Sequence, residues 1–322
     1  MEIGSFIELQ FPNGQEFYSG TMGIARLNTG RAALWHALRC TGCDTIWLPY
    51  YQCDTVREFF SRKGVKLRFY HIDRQFNPID LTPGRDEAVL IVNYYGIMSV
   101  KRMEELTRPY CHAIIDNCQA FFCPPLPGCM NVYSCRKFIG VPDGAYVIGP
   151  DAQKYIEEYV QCYSSDTSIF MLQRIEYGCE GKSYASRSEN ERRIDTEDIM
   201  RMSKLTRTIL DGTDYQFIRQ RRRDNFNYAV KLFTLRNQIN PLRYYADDCV
   251  PMVYPLVVED DGLLRKLQAA KHFQGHWWSY LCAEIPEERF EHYLSRYVIP
   301  ITIDQRYGPA ALEFVNDIIM EQ

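Results

Sequence analysis

The sequence predicts an α/β protein, with a large domain built on a mostly parallel β-sheet and a smaller α+β domain at the C-terminal end. Between about residues 25 and 150, apolar runs suited to buried strands alternate with helical segments. After Pro150 the pattern turns helical, and strand signals return only in the last third of the chain. A chain of 322 residues is long enough for one large domain and a second, smaller one.

The first half of the chain contains the predicted parallel sheet. Its first helix covers residues 30–39, with Thr29 placed to cap it. A second helix begins at Asp54 and ends at Gly64, because glycine is favoured just past a helix end. A short third helix is expected around residues 103–106. Strands are expected at residues 45–48, 65–72, 88–93, 112–116, 131–134 and 145–148. Repeated strand–helix units of this kind predict parallel strands with helices on both sides of the sheet.

The second half is mainly helical. Residues 180–193 are polar and are expected to form an exposed loop. Helices are expected at residues 153–163, 197–210, 215–235, 262–272 and 308–320, and strands at 250–258 and 298–303. We therefore predict a large domain over residues 1–225 and a small α+β domain over residues 226–322.

Composition and charge exclude several classes of protein. The 37 Lys and Arg residues nearly balance the 41 Asp and Glu residues, which argues against a general affinity for nucleic acid or anionic membrane. The N-terminus shows no signal-peptide pattern, and no stretch is apolar enough to span a bilayer. Twelve cysteines without a signal peptide are expected to be reduced thiols, so we predict a cytoplasmic protein.

Metal-binding and nucleic-acid-binding motifs have little support in the sequence. The CxxC pair of Cys40 and Cys43 has no second pair at matching distance, and the six histidines form no HxxxH or HxH pair, so no metal site is predicted. The tandem aromatics at residues 244–245 and 277–278 are interpreted as packing residues. The basic run at residues 219–223 is interpreted as a solvated helix face, with an anion site as the alternative.

Asp116 and Lys137 form the most informative pair of residues. Asp116 ends an apolar strand, and Lys137 follows the next strand before a turn rich in Gly and Pro. Ligands of parallel sheets bind at the carboxyl ends of the strands, where both residues fall. A carboxylate that keeps a pyridine nitrogen protonated and an amine that forms a Schiff base are the two groups that a pyridoxal phosphate (PLP) site needs. The alternative is a solvated loop lysine and an aspartate that caps a turn.

The start of the first helix is a candidate phosphate site. Free backbone amides at Gly30, Arg31 and Ala32 would point at an anion, and the positive end of the helix dipole would favour it. Glycine at the first position also lets a ligand approach the backbone. Glycine is common at helix starts for steric reasons alone, so this motif needs support from elsewhere in the chain.

Five segments resemble, in order, the motifs of the DegT/DnrJ/StrS sugar-aminotransferase family, which are fold-type I PLP enzymes. Residues 28–34 (NTGRAAL) resemble its phosphate loop, and residues 48–51 (LPYY) resemble the stretch that covers the cofactor ring. Residues 115–120 (IDNCQA) resemble its EDxAQA motif, residues 134–144 its lysine segment, and residues 300–307 a late LPI…Y stretch. The resemblance spans most of the chain.

The resemblance implies a role for each matching residue. Asp116 would pair with the pyridine nitrogen, Gln119 would bind the phenolic oxygen, and Lys137 would be the Schiff-base lysine. Ser134 would be a phosphate ligand. Cys53 stands where many members have an aromatic residue over the ring, so stacking would fall to Tyr51 or be absent.

The resemblance also implies a function. We expect a PLP-dependent aminotransferase that acts on a nucleotide-linked keto-sugar, in polysaccharide biosynthesis, with an amino acid as amino donor. We also expect a homodimer, because in that family a partner segment reaches the phosphate, and residues 180–193 are the corresponding segment here. Two alternatives stay open. One is another PLP-dependent sugar-modifying enzyme, against which Lys137 argues because family dehydratases replace this lysine. The other is a non-catalytic binding protein on the same fold.

Overall fold

One eight-stranded sheet dominates the computed structural model, which describes residues 3–321. Its order is β1-β8-β7-β6-β5-β2-β3-β4, and β7, β6, β5, β2 and β3 are mutually parallel. The strands are β1 (Ile24–Leu27), β2 (Thr45–Pro49), β3 (Lys66–Ile72), β4 (Pro78–Ile79), β5 (Ala88–Val92), β6 (His112–Asp116), β7 (Met130–Ser134) and β8 (Ala145–Ile148). The predicted α/β class with a mostly parallel sheet is confirmed.

Helices cover both faces of this sheet and form most of the second half of the chain. They are α1 (Gly30–Thr41), α2 (Asp54–Arg62), α3 (Val100–Thr107), α4 (Ile169–Tyr177), α5 (Lys182–Thr196), α6 (Lys204–Asp211), α7 (Tyr215–Phe233), α8 (Leu263–Ala269), α9 (Leu281–Glu284), α10 (Phe290–Tyr297) and α11 (Pro309–Met320). Helix α1 begins where predicted, because the Thr29 hydroxyl accepts a hydrogen bond from the Ala32 amide. Strand β5 is buried along its whole length, as its continuous apolar run requires.

A small second sheet lies near the C-terminus. Its two antiparallel strands are β9 (Val253–Val257) and β10 (Val298–Thr302). We refer to β9, β10 and helices α8 to α11 as the C-terminal unit. Helix α7 runs across residue 225 and packs on α11 and β9, and its Arg222 reaches the carbonyl of Lys137 after β7. The division of the chain at residue 225 stays a prediction.

Three expectations about secondary structure were wrong. Residues 180–193 were expected to be a loop, but from Lys182 onward they lie in helix α5, which buries only Ser183, Asn190 and Ile194. A helix with so few buried positions leaves almost no apolar periodicity in the sequence. Residues 153–163 form only a short 3₁₀ turn, Ile156–Glu158, and the helix expected from residue 197 begins at Lys204.

The structure also bears on membrane-spanning helices, metal sites and disulfides. None of the helices in residues 3–321 is long and apolar enough to cross a membrane. Within the same residues no three His, Cys, Asp or Glu side chains are grouped closely enough to hold a metal ion. All twelve cysteines are free thiols, as predicted.

Candidate active site at the carboxyl edge of the sheet

Asp116 and Lys137 lie at the same edge of the sheet because β6 and β7 are parallel neighbours. Asp116 is the last residue of β6 and pairs in register with Val132 of β7. Two residues past Val132, β7 ends at Ser134 and a 3₁₀ turn, Cys135–Lys137, follows. The strand order therefore brings together two residues that are 21 positions apart in the sequence.

The Asp116 carboxylate is largely shielded from water, with 8% of the residue exposed. Its Oδ1 atom accepts a hydrogen bond of 2.9 Å from the amide of Cys118, which holds the carboxylate in place. No further N–H or O–H group in the described part of the chain donates to the carboxylate, and the thiol of Cys118 lies within hydrogen-bonding range of it. A shielded carboxylate with one oxygen anchored and one available can bind a protonated ring nitrogen.

Gln119 is also buried, and only one end of its amide is used by the protein. Oε1 accepts a hydrogen bond from the amide of Tyr95 at 2.6 Å. Its Nε2 atom donates to no side chain or carbonyl among residues 3–321. The free donor can bind an oxygen atom of a ligand held against Asp116.

The N-terminus of α1 packs against the ends of β6 and β7. A Cβ atom placed on Gly30 would lie 3.1 Å from Sγ of Cys118 and 3.9 Å from Cβ of Ser134. Gly30 therefore allows the helix to approach both strand ends. The amide of Ala32 is used by Thr29 at 3.3 Å, whereas the amides of Gly30 and Arg31 donate to no other described residue. Two amides at a helix N-terminus are thus available to an anion.

The hydroxyl of Ser134 is available near the N-terminus of α1, whereas the side chain of Arg31 is not. Ser134 is buried, and its hydroxyl has no hydrogen-bond partner among the residues that the structure describes. The guanidinium of Arg31 turns away, donating to the carbonyl of Ile194 and pairing with Asp195 at 2.9 Å. Arg31 therefore offers its backbone amide to the site, while its side chain ties α1 to α5.

The segment that carries Lys137, residues 135–144, is called the lysine turn here, and it is anchored to the start of α1. The amide of Gly144 donates to the carbonyl of Asn28 at 2.6 Å, and Cys135 donates to the carbonyl of Gly144 at 3.1 Å. Gly144 has φ +118, a conformation that L side chains rarely adopt. The adjacent Asp143 carboxylate accepts a hydrogen bond from the amide of Ser203, the residue that caps α6. The side chain of Lys137 itself is exposed, so its amine is accessible at the sheet edge.

Cys118 lies at the centre of this group and was not predicted as a site residue. Burial raises the pKa of its thiol well above the usual value; the negative charge of Asp116 adds to this effect, and the ammonium of Lys137 opposes it. Cys53 also contributes, so these four side chains lie close enough to interact. The signal was present in the sequence, because Cys118 stands between Asp116 and Gln119.

Tyr51 and Cys53 occupy different surroundings. Tyr51 is fully buried, its hydroxyl is 2.8 Å from that of Tyr95, and its ring meets the edge of Trp278 at 4.4 Å between centroids. Tyr51 thus belongs to an aromatic cluster and does not present a free ring face. Cys53 is partly exposed, at the start of α2, with its thiol 3.1 Å from the hydroxyl of Thr55.

Comparison with known proteins gives a fold-level match. No family model matches the chain, and no curated protein matches it in sequence. Among solved structures, the sugar aminotransferase CalS13 from Micromonospora echinospora matches with a TM-score of 0.64 at 16% identity, covering 94% of this chain and 88% of that one. A DegT DnrJ EryC1 StrS aminotransferase from Brucella abortus matches with a TM-score of 0.62 at 13% identity, covering 94% and 87%. The chain has the fold of the DegT/DnrJ/EryC1/StrS-type sugar aminotransferases.

This fold is also used for other chemistry. The E. coli GDP-4-keto-6-deoxy-D-mannose-3-dehydratase, solved with bound hydrated PLP, matches with a TM-score of 0.60 at 13% identity, covering 93% of this chain and 88% of that one. Identities this low establish the fold, whereas an activity has to be argued from the residues at the site.

Proposed function

We propose that this protein is a PLP-dependent aminotransferase, with its cofactor at the carboxyl edge of the sheet. The observation that carries the proposal is a set of unused polar groups around one position. Apart from the thiol of Cys118 beside Asp116, no protein hydrogen bond among residues 3–321 uses Asp116 Oδ2, Gln119 Nε2, the Ser134 hydroxyl or the amides of Gly30 and Arg31. These groups match the ring nitrogen, phenolic oxygen and phosphate of PLP, so the residues present fit this cofactor.

Each residue has a chemical task in this proposal. PLP, when bound, supplies an electron sink for charge that develops at the carbon bearing the amino group. Asp116 would keep the proton on the ring nitrogen, and Gln119 Nε2 would donate to the phenolic oxygen. Lys137 Nζ would hold the cofactor and, as a free amine, would move a proton at the reacting carbon.

The proposed substrates are a keto-sugar linked to a nucleotide and an amino-acid amino donor. They are supported by the fold shared with sugar aminotransferases and by an accessible lysine, which amino-group exchange needs for its proton transfers. The protein would act in the cytoplasm, where such soluble substrates are made.

Borohydride reduction followed by peptide mapping tests this proposal. Purified protein incubated with PLP should absorb visible light, and reduction should leave the pyridoxyl mass on Lys137. The exposed Lys204, at the start of α6, serves as an internal control and should not be labelled. Labelling of another lysine would overturn the site assignment, and absence of bound PLP would favour a binding protein on the same fold.

We also propose a homodimer. Helix α4 presents exposed apolar side chains, among them Leu172, Ile175 and Tyr177, of which Ile175 is 80% exposed. Exposed apolar side chains concentrated on one helix are typical of a surface that another protein covers. Arg31, the basic residue in the first turn of α1, directs its side chain to Ile194 and Asp195, so a cation from a second copy would complete the phosphate site. Sedimentation of a monomer that retains PLP would contradict this.

A further inference from the structure

Arg222 is a buried cation that no part of the proposed chemistry uses. It lies in α7 within the basic run expected to be solvated, but only 2% of the residue is exposed, so that expectation was wrong for this position. Burial lowers the pKa of the guanidinium to about 10, partly offset by the negative charge of Asp304. A charge kept in such surroundings is expensive unless its donors are used.

The donors of Arg222 reach the C-terminal unit and the lysine turn at the same time. Nη1 donates to the carbonyl of Met252 at 2.9 Å, at the start of β9, and Nε donates to Oε1 of Gln305 at 3.1 Å, just after β10. Nη2 lies 3.5 Å from the carbonyl of Lys137. The guanidinium also covers the ring of Phe138, 4.4 Å from its centroid.

Gln305 holds the next peptide unit of the same turn. Its Nε2 atom donates to the carbonyl of Phe138 at 2.8 Å while its Oε1 atom accepts from Arg222. Two consecutive carbonyls, those of Lys137 and Phe138, are therefore contacted by side chains from outside the large sheet. Within the turn itself, the amides of Phe138 and Ile139 both donate to the carbonyl of Cys135, at 3.0 and 2.9 Å.

We infer that Arg222 and Gln305 are positioning residues for Lys137: they clamp the turn that carries the amine and fix its position relative to the C-terminal unit. This inference deepens the proposed function and rests on Lys137 being its reactive amine. Neither side chain hydrogen-bonds to Asp116, Gln119, Ser134 or Gly30, and their effect passes through the main chain of the lysine turn. A shift of the C-terminal unit would move Lys137 through this pair.

The chain offers a matched control in the neighbouring residue of α7. Arg223 also donates to a backbone carbonyl, that of Cys249 at 3.2 Å, but it makes no contact with the lysine turn. Arg223→Met therefore removes an arginine and a carbonyl contact from the same helix without touching the clamp. Gln305→Leu removes the contact to Phe138 and the acceptor of Arg222 Nε, but it leaves the Arg222 contacts to Met252 and Lys137. It is safer for folding than Arg222→Met because Gln305 is only partly buried.

Hydrogen exchange of the cofactor-free protein gives the first readout. In Gln305→Leu and Arg222→Met, amide exchange should accelerate by about tenfold in peptides covering residues 135–140, and by much less in β9. Arg223→Met should leave residues 135–140 as in the wild type. Equal exchange in all variants, or acceleration spread evenly over α7 and β9, would overturn the inference, whether or not the protein binds PLP.

Comparison of two cofactor forms gives the second readout. PLP can bond to the Lys137 amine, whereas pyridoxamine phosphate cannot, although both carry the same ring and phosphate. Gln305→Leu should weaken PLP binding by roughly tenfold to a hundredfold, the scale on which misplacing a reacting group acts, with pyridoxamine phosphate binding unchanged. Arg222→Lys should keep part of the PLP affinity that Arg222→Met loses, since one ammonium can reach a single carbonyl.

The two failures are distinguishable. A wild type that takes up neither form would contradict the proposed function, and the exchange experiment would still decide whether the clamp exists. A wild type that takes up both, with variants that weaken both equally or neither, would overturn the clamp and leave the proposed function intact.

Discussion

Oε1 of Gln119 accepts a hydrogen bond from the backbone amide of Tyr95 across 2.6 Å. Tyr95 has φ +59, in a region where side chains other than glycine are uncommon, and it is completely buried after the end of β5. The bond fixes this loop against the end of β6 and orients the Gln119 amide. Because Oε1 is committed to the protein, Nε2 is the end left for a ligand.

Gln119→Leu should destabilise the protein and not only its site. The buried amide of Tyr95 would lose its acceptor, so we expect the free energy of unfolding to fall by about 1–3 kcal/mol in urea denaturation. Gln268→Leu is the control, because Gln268 donates to the carbonyl of Gln274 at an exposed position, 2.8 Å away. Equal decreases in the free energy of unfolding of the two variants would mean that the Gln119–Tyr95 hydrogen bond stabilises the protein no more than an exposed one.

Gly96 should tolerate no side chain, and Gly128 offers a matched comparison. Both have positive φ, +73 and +80, so alanine costs backbone strain of about 1–2 kcal/mol at either position. A Cβ on Gly96 would lie 2.4 Å from the carbonyl oxygen of Gln119, whereas a Cβ on Gly128 would have no atom within 4 Å. Gly96→Ala should therefore lose about 1–3 kcal/mol more than Gly128→Ala in urea denaturation. Similar midpoints would contradict the close approach.

Gly30→Val tests the phosphate position. The new side chain would crowd Cys118 and the free amides of α1, so PLP affinity should fall about tenfold, or 1.4 kcal/mol, by equilibrium dialysis. Gly20→Val is the control, because a Cβ at Gly20 has no atom within 4 Å. Circular dichroism should show that both variants are folded. Unchanged PLP affinity in folded Gly30→Val would remove this helix end from the site.

The thiol of Cys118 should report the charges of its neighbours. Burial and the Asp116 carboxylate raise its pKa, so little reactive thiolate is present near neutral pH. Asp116→Asn removes a raising charge and should speed alkylation of Cys118 by iodoacetamide at about pH 8, whereas Lys137→Met removes a lowering charge and should slow it. The exposed Cys111 is an internal control, to be followed in the same mass spectra. Changes of the same sign in both variants would contradict this arrangement.

Local sequence signals were enough to predict the strands and helices of the sheet. The features that could not be predicted from the sequence depend on contacts between distant parts of the chain. Thr29 and the continuous apolar run of β5 act within a few residues, so their elements were predicted nearly to the residue. The burial of Arg222 depends on carbonyls 30 and 85 positions away, which no local pattern reveals. The approach of Asp116 and Lys137 was predictable, because it follows from the order of parallel strands. The contact between Tyr51 and Tyr95 was not, because it depends on how two loops meet.

Asp116→Asn tests the chemistry of the site instead of its architecture. Charge from the reacting carbon can enter the pyridine ring only if the ring nitrogen is protonated, and in the proposed function the Asp116 carboxylate would enforce that protonation. Asparagine has nearly the same shape, and its side-chain oxygen can still accept from the Cys118 amide as Asp116 Oδ1 does at 2.9 Å, so the fold should persist. The covalent bond to Lys137 does not need this charge, so borohydride should still place the pyridoxyl group on Lys137. Conversion of bound PLP to pyridoxamine phosphate by an amino donor should nonetheless slow by roughly 10⁴-fold, the scale on which a wrong protonation state impairs a catalytic site.

Single-turnover kinetics of that conversion give the measurement. Asp166→Asn, at an exposed residue before α4, should behave as the wild type. Near-equal rates in wild type and Asp116→Asn would show that Asp116 only ends a strand. A wild type that binds PLP on Lys137 but converts none of it with any amino donor would instead favour another PLP-dependent reaction, since the carboxylate and the amine would then serve a different bond cleavage at the same carbon.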